Sequence, residues 1–127
     1  MSKFDVKRCN NINGKIAFFK LIENEKCHWD EFCKEIQREG TWAEQLDSLI
    51  SQMDDKANMK LLPETKYRDI DTGVPGVKCY EFKSRDLRAY CMTDGVGIII
   101  FAGRKSTQSK DISKFKSLVK QYKESKK

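Results

Sequence analysis

"VKCYEFKSRDLRAYCMTDGVGIIIFAGRK", residues 77–105, is the stretch on which the fold turns. Three runs with strand character follow one another in it, at 77–83, 86–92 and 96–103. Ser84-Arg85 and Thr93-Asp94-Gly95 separate them, and both gaps are short enough for hairpins, so the stretch predicts a three-strand meander. Alternation puts Leu87, Ala89 and Cys91 on one face and Arg88, Tyr90 and Met92 on the other, while Lys78, Tyr80 and Phe82 share a face of the first run. Tight turns would set Tyr80 opposite Tyr90 and Phe82 opposite Arg88, with Arg85 across from Gly103 beside Arg104. The third run is apolar on both faces, which marks it as central. Two of the chain's six arginines, Arg85 and Arg88, therefore thread the segment best suited to a sheet, and their purpose is the main functional question.

Working outward, "KIAFFKLI" (15–22) is an apolar run bounded by polar clusters and predicts a first strand. "CHWDEFCKEIQREG" (27–40) gathers Trp29, Phe32, Cys33 and Ile36 on one helical face, and Gly40 is a natural stop. Thr41-Trp42-Ala43-Glu44 has the form of a capping box opening a second helix with Trp42, Leu46, Leu49, Ile50 and Met53 as its apolar stripe. Residues 61–76 hold both prolines and two glycines and read as a connector. The closing helix carries Ile112, Phe115, Leu118, Val119 and Tyr122 on one side and lysines on the other. The expectation is an α+β fold over residues 1–127: N-terminal strand, helical hairpin, antiparallel three- to four-stranded sheet and C-terminal helix, with irregular ends at 1–14 and 123–127.

Charge is segregated along the chain. Residues 1–62 carry 10 Lys and Arg against 11 Asp and Glu, whereas residues 63–127 carry 15 against 8, so the whole excess of +6 lies in the second half. That asymmetry points to a polyanion, and nucleic acid precedes membrane because no lipid-anchoring pattern accompanies it; nor does any apolar run approach the roughly 20 residues of a spanning helix. The first residues lack the apolar core of a signal peptide, which predicts a cytoplasmic protein. The five cysteines form no C-x-x-C pair and read as free thiols; Cys27, His28 and Cys33 match no zinc spacing, so no metal and no cofactor are expected.

On a strand, Arg88 either meets a phosphate or pairs with a carboxylate such as Glu81 or Asp86. Here "VKCYEFKSRDLRAYC", "DGVGIIIFAGRKSTQ" and the Lys-rich final helix resemble the RelE/ParE toxin superfamily, its HigB-like branch above all. The resemblance covers residues 15 to 122 by element order and 77–108 by motif. It implies a toxin of a type II toxin–antitoxin pair that cleaves mRNA on the ribosome by attack of a 2′-OH on the adjacent phosphate and is silenced by a small antitoxin protein. By the same resemblance Arg88 and Arg104 are catalytic, and Lys83, Arg85, Lys105 and Tyr90, with Lys66 and Arg68 on the connector, bind RNA. "GRKSTQSKD" lacks the Tyr or His that many members place after the last strand, and His28, the one histidine, reads as helix packing. The alternatives are a non-catalytic nucleic-acid-binding or topoisomerase-inhibiting protein on the same scaffold, or an unrelated α+β domain whose basic half is incidental.

Overall fold

The three runs of the meander form strands, and two further strands that the sequence pattern does not announce join them. The computed structural model describes residues 3–60, 67–94, 97–105 and 111–125. Among these, the elements are β1 (Phe4–Arg8), β2 (Ala17–Glu23), α1 (His28–Glu39), α2 (Ala43–Ala57), β3 (Tyr67–Ile70), β4 (Lys78–Ser84), β5 (Leu87–Asp94), β6 (Gly97–Lys105) and α3 (Asp111–Ser125). The fold is α+β, with a six-stranded sheet in the order β1-β2-β6-β5-β4-β3. It is larger than the three to four strands expected, and it is mixed: β2 runs parallel to β6, while every other neighbouring pair is antiparallel.

A hydrophobic core lies on each side of the sheet. One unites Trp29, Phe32 and Ile36 of α1 and Leu46, Leu49 and Met53 of α2 with Phe82, Leu87, Ala89 and Cys91. The other unites Phe115, Val119 and Tyr122 of α3 with Tyr90, Met92, Ile99, Phe101, Leu21 and Phe4. Each fully buried Leu or Phe contributes about 1.5–3 kcal/mol, so these two stripes of large side chains dominate the stability. The helical hairpin sits where the apolar periodicity places it. Its hinge is Gly40, whose left-handed φ of 76° ends α1 and whose N–H returns to the Ile36 carbonyl.

The capping box does not form. The N-cap of α2 is Trp42, with no side-chain cap, and Thr41 lies one residue outside. The indole packs against the core and beneath the Lys105 ammonium, 5.0 Å from its ring centre.

Register differs from the tight-turn expectation by one residue. Tyr80 faces Cys91, Phe82 faces Ala89 and Lys83 faces Arg88. Between β5 and β6 the pairing shifts at Tyr90/Cys91: Tyr90 opposes Ala102 and Cys91 opposes Ile100, leaving Phe101 as an extra residue. This bulge reverses the alternation of everything after it. Gly103 then faces α1, where an added Cβ would lie 2.3 Å from the Phe32 ring. Arg104 falls on the α3 face and Lys105 on the α1 face.

Candidate functional site

Two adjacent rungs of the sheet carry a cluster of charged side chains on the α3 face. Across β3, β4, β5 and β6 the first rung reads Arg68, Glu81, Tyr90, Ala102; the next reads Lys83, Arg88, Arg104 across β4, β5 and β6. Cations directly opposite one another destabilise a sheet unless a countercharge is present. Glu81 is that countercharge. It is 1% exposed, and its Oε1 accepts a 2.8 Å hydrogen bond from Arg68 Nε. Arg88 Nε lies 4.0 Å from Oε1, and Arg104 Nη2 lies 3.9 Å from Oε2. One buried carboxylate thus collects three guanidiniums, and with Lys83 the cluster carries a formal excess of three positive charges.

Arg88 and Arg104 are held by more than Glu81. Arg88 Nη1 donates to the backbone carbonyls of Arg85 and Leu87. Arg104 lies over the Tyr90 ring at 5.7 Å, and Phe115 of α3 stacks on Tyr90 at 5.1 Å. Tyr90 is fully buried between protein groups, so its ring is a platform for Arg104 and offers no free face to a base. Arg68 is half exposed and reaches solvent.

The structure therefore brings together Arg68, Lys83, Arg88, Arg104 and Tyr90. Arg85 stands apart in the β4–β5 turn at a φ of 48°, exposed, and does not pair with Gly103. Lys105 is separated from its neighbour Arg104 by the thickness of the sheet. Its ammonium bonds Glu39 at 2.9 Å and Glu35 at 3.1 Å, and those hydrogen bonds raise its pKa. Lys66 lies outside the described residues. Of the two carboxylates weighed as partners of Arg88, Glu81 takes the role, while Asp86 is tied to Gln45 of α2.

His28 is not core packing. It opens α1 with Nε2 2.9 Å from Glu23 Oε1, and both line a cleft of about 500 Å³ between α1, α3 and the end of β6. Burial pushes Glu23 up, but hydrogen bonds from His28 and Lys3 outweigh it and hold the carboxyl below its usual range. The signal for this pair was the five-residue spacing between the end of one element and the start of the next, which pattern alone does not flag. Burial raises the Cys9 thiol to about 11 and the Cys33 thiol to about 12, so both are protonated at neutral pH and poor nucleophiles. Among the described residues no three His, Cys, Asp or Glu side chains converge to hold a metal ion, and no helix is long and apolar enough to cross a membrane.

Comparison of the chain with protein-family models, with curated proteins and with solved structures gave no match in any of the three.

Proposed function

We propose that this protein is an RNA-directed toxin of RelE-like arrangement, in which the Lys83–Arg88–Arg104 row receives the scissile phosphodiester of mRNA on the ribosome. The carrying observation is the positive excess of that row, fixed in place by one buried carboxylate. In the reaction the 2′-oxygen bonds to phosphorus as the P–O5′ bond breaks; the 2′-OH proton is lost and the leaving O5′ gains one. The intermediate phosphorane is doubly negative. Guanidiniums oriented beforehand stabilise such charge better than flexible groups that must reorganise. Arg88 and Arg104 take the central roles, with Lys83 and the half-exposed Arg68 holding flanking phosphate. The partners of this reading are mRNA on the ribosome and a small antitoxin whose acidic segment covers the row, in the cytoplasm.

A second reading, RNA binding without cleavage, is supported by the proton-transfer groups. The carboxylate beside the row, Glu81, is buried and engaged by Arg68, and the sole histidine lies in a different cleft. Tightly controlled expression in bacteria separates the two. Wild type should arrest growth, with new 5′ ends within mRNA, while Arg88→Ala/Arg104→Ala at matched soluble level should not. Absence of arrest with wild type would refute the nuclease reading and leave binding alone.

A further inference from the structure

A groove of about 650 Å³ opens between α3 and the loop joining β3 to β4. Its two walls differ in kind. One is lysine: Lys116, Lys120 and Lys123, spaced four and three residues apart on one face of α3, with Ser117 between them. The other is small and largely apolar, Val74 and Pro75 of the loop, whose neighbours Gly73 and Gly76 take left-handed turns over open space. Glu124 is the one acid in the lining. Five lysines elsewhere, Lys3, Lys20, Lys26, Lys60 and Lys105, stand beside carboxylates. Among the described residues Lys116, Lys120 and Lys123 have no ion pair, and like charges four apart oppose helix formation until an anion relieves them.

We propose that this groove binds the backbone of single-stranded RNA, with successive phosphates on the three lysines and the sugar and base side against Val74 and Pro75. The assignment rests on the RNA reading above and extends it to a second contact region on the same side of the sheet as the arginine row. Seven residues of helix rise about 10 Å, so the three ammonium groups form a line long enough to meet successive phosphates of an extended strand. A concave slot with one apolar wall suits a strand that has a charged edge and an uncharged edge. A flat layer of lipid headgroups would touch only its rim.

The test is fluorescence anisotropy with a labelled single-stranded RNA of about a dozen nucleotides, titrated across about 50 to 300 mM salt. The variants are Lys116→Gln/Lys120→Gln/Lys123→Gln and the corresponding triple arginine chain, each checked for an unchanged melting curve. Releasing counterions from three phosphates contributes about 0.7 each to the slope of log K against log salt, so the glutamine variant should lose about two units of slope. The arginine variant should retain them. If wild type binds RNA and the glutamine variant keeps the full slope, the groove assignment is overturned while the RNA reading stands. If wild type binds no RNA, both fall. Lysine-dependent binding to anionic phosphatidylglycerol vesicles, with the RNA slope unchanged, would also overturn the assignment in favour of a membrane surface.

Discussion

Replacing Glu81 by Gln keeps the size and one acceptor oxygen of the side chain while deleting the charge that gathers Arg68, Arg88 and Arg104. Removing one partner of a buried ion pair typically costs about 3–5 kcal/mol. Two features of this site reduce that figure. Arg68 is half exposed and can be rehydrated, and Arg88 retains two backbone carbonyls as acceptors. Arg104, less than a tenth exposed and directly opposite Arg88, has no such relief by water. The expected loss is therefore about 2–3 kcal/mol by urea unfolding, or about 8–12 °C in melting temperature for a domain of this size. Because the damage is repulsion among cations, 1 M salt, with its Debye length of about 3 Å, should return part of it. Glu81→Gln/Arg104→Met should be more stable than Glu81→Gln alone by about 1 kcal/mol, since the least hydrated cation is gone. A Glu81→Gln protein within about 0.5 kcal/mol of wild type, or a double variant no more stable than the single one, would refute the view that this carboxylate organises the row.

Two further outcomes follow from the geometry. Gly103→Ala drives a methyl group into the Phe32 ring, 2.3 Å from its nearest carbon, and should cost about 1–3 kcal/mol by urea unfolding; an unchanged midpoint would mean that α1 does not press on β6 there. Glu23 has a folded pKa below its ordinary value of 4.5, so its stabilisation is fully present above that value and is lost as pH falls through the lower folded one. Glu23→Gln should accordingly be less stable than wild type at neutral pH, by about 1–2 kcal/mol for a lost hydrogen bond to a charged group, with the gap closing in acid. A gap that does not shrink as the pH falls below 4.5 would contradict that linkage.

The sequence carries the helices and the meander because each has an amphipathic period long enough to read. β1 and β3 escape it for local reasons. "FDVKR" offers two apolar residues before the pattern ends, and "YRDI" lies in a proline- and glycine-rich segment whose strand character comes from lying against the edge of β4. The parallel pairing of β2 with β6 is invisible to any local pattern. At the site, Arg88 is legible as a strand residue and Glu81 as one of two candidate partners, but the expected register put Phe82 opposite Arg88 and so Glu81 on the other face; the one-residue shift of β4 against β5 brings the pair together. The fates of Arg104 and Lys105 are not. "GIIIFAG" is apolar at nearly every position, so nothing in it marks where the alternation skips, and the skip at Phe101 decides which residue joins the arginine row and which joins the acids of α1. Such a shift needs the partner strand to be seen.

The parallel ladder between β2 and β6 ties Ala17 to Gly97 and Lys20 to Ile100, contacts 80 positions apart in the chain (97 less 17). During synthesis β2 and the helical hairpin must therefore wait, their apolar faces uncovered, until most of the protein has left the ribosome. The loop closed by that pairing is long, and contacts of this separation form late. A nascent chain stopped before β6 would lack both the strand that joins the two halves and Arg104. The basic row is consequently among the last parts of the molecule to be completed, and a prematurely terminated product would hold Lys83, Arg88 and Glu81 on β4 and β5 without the Arg104 that faces them.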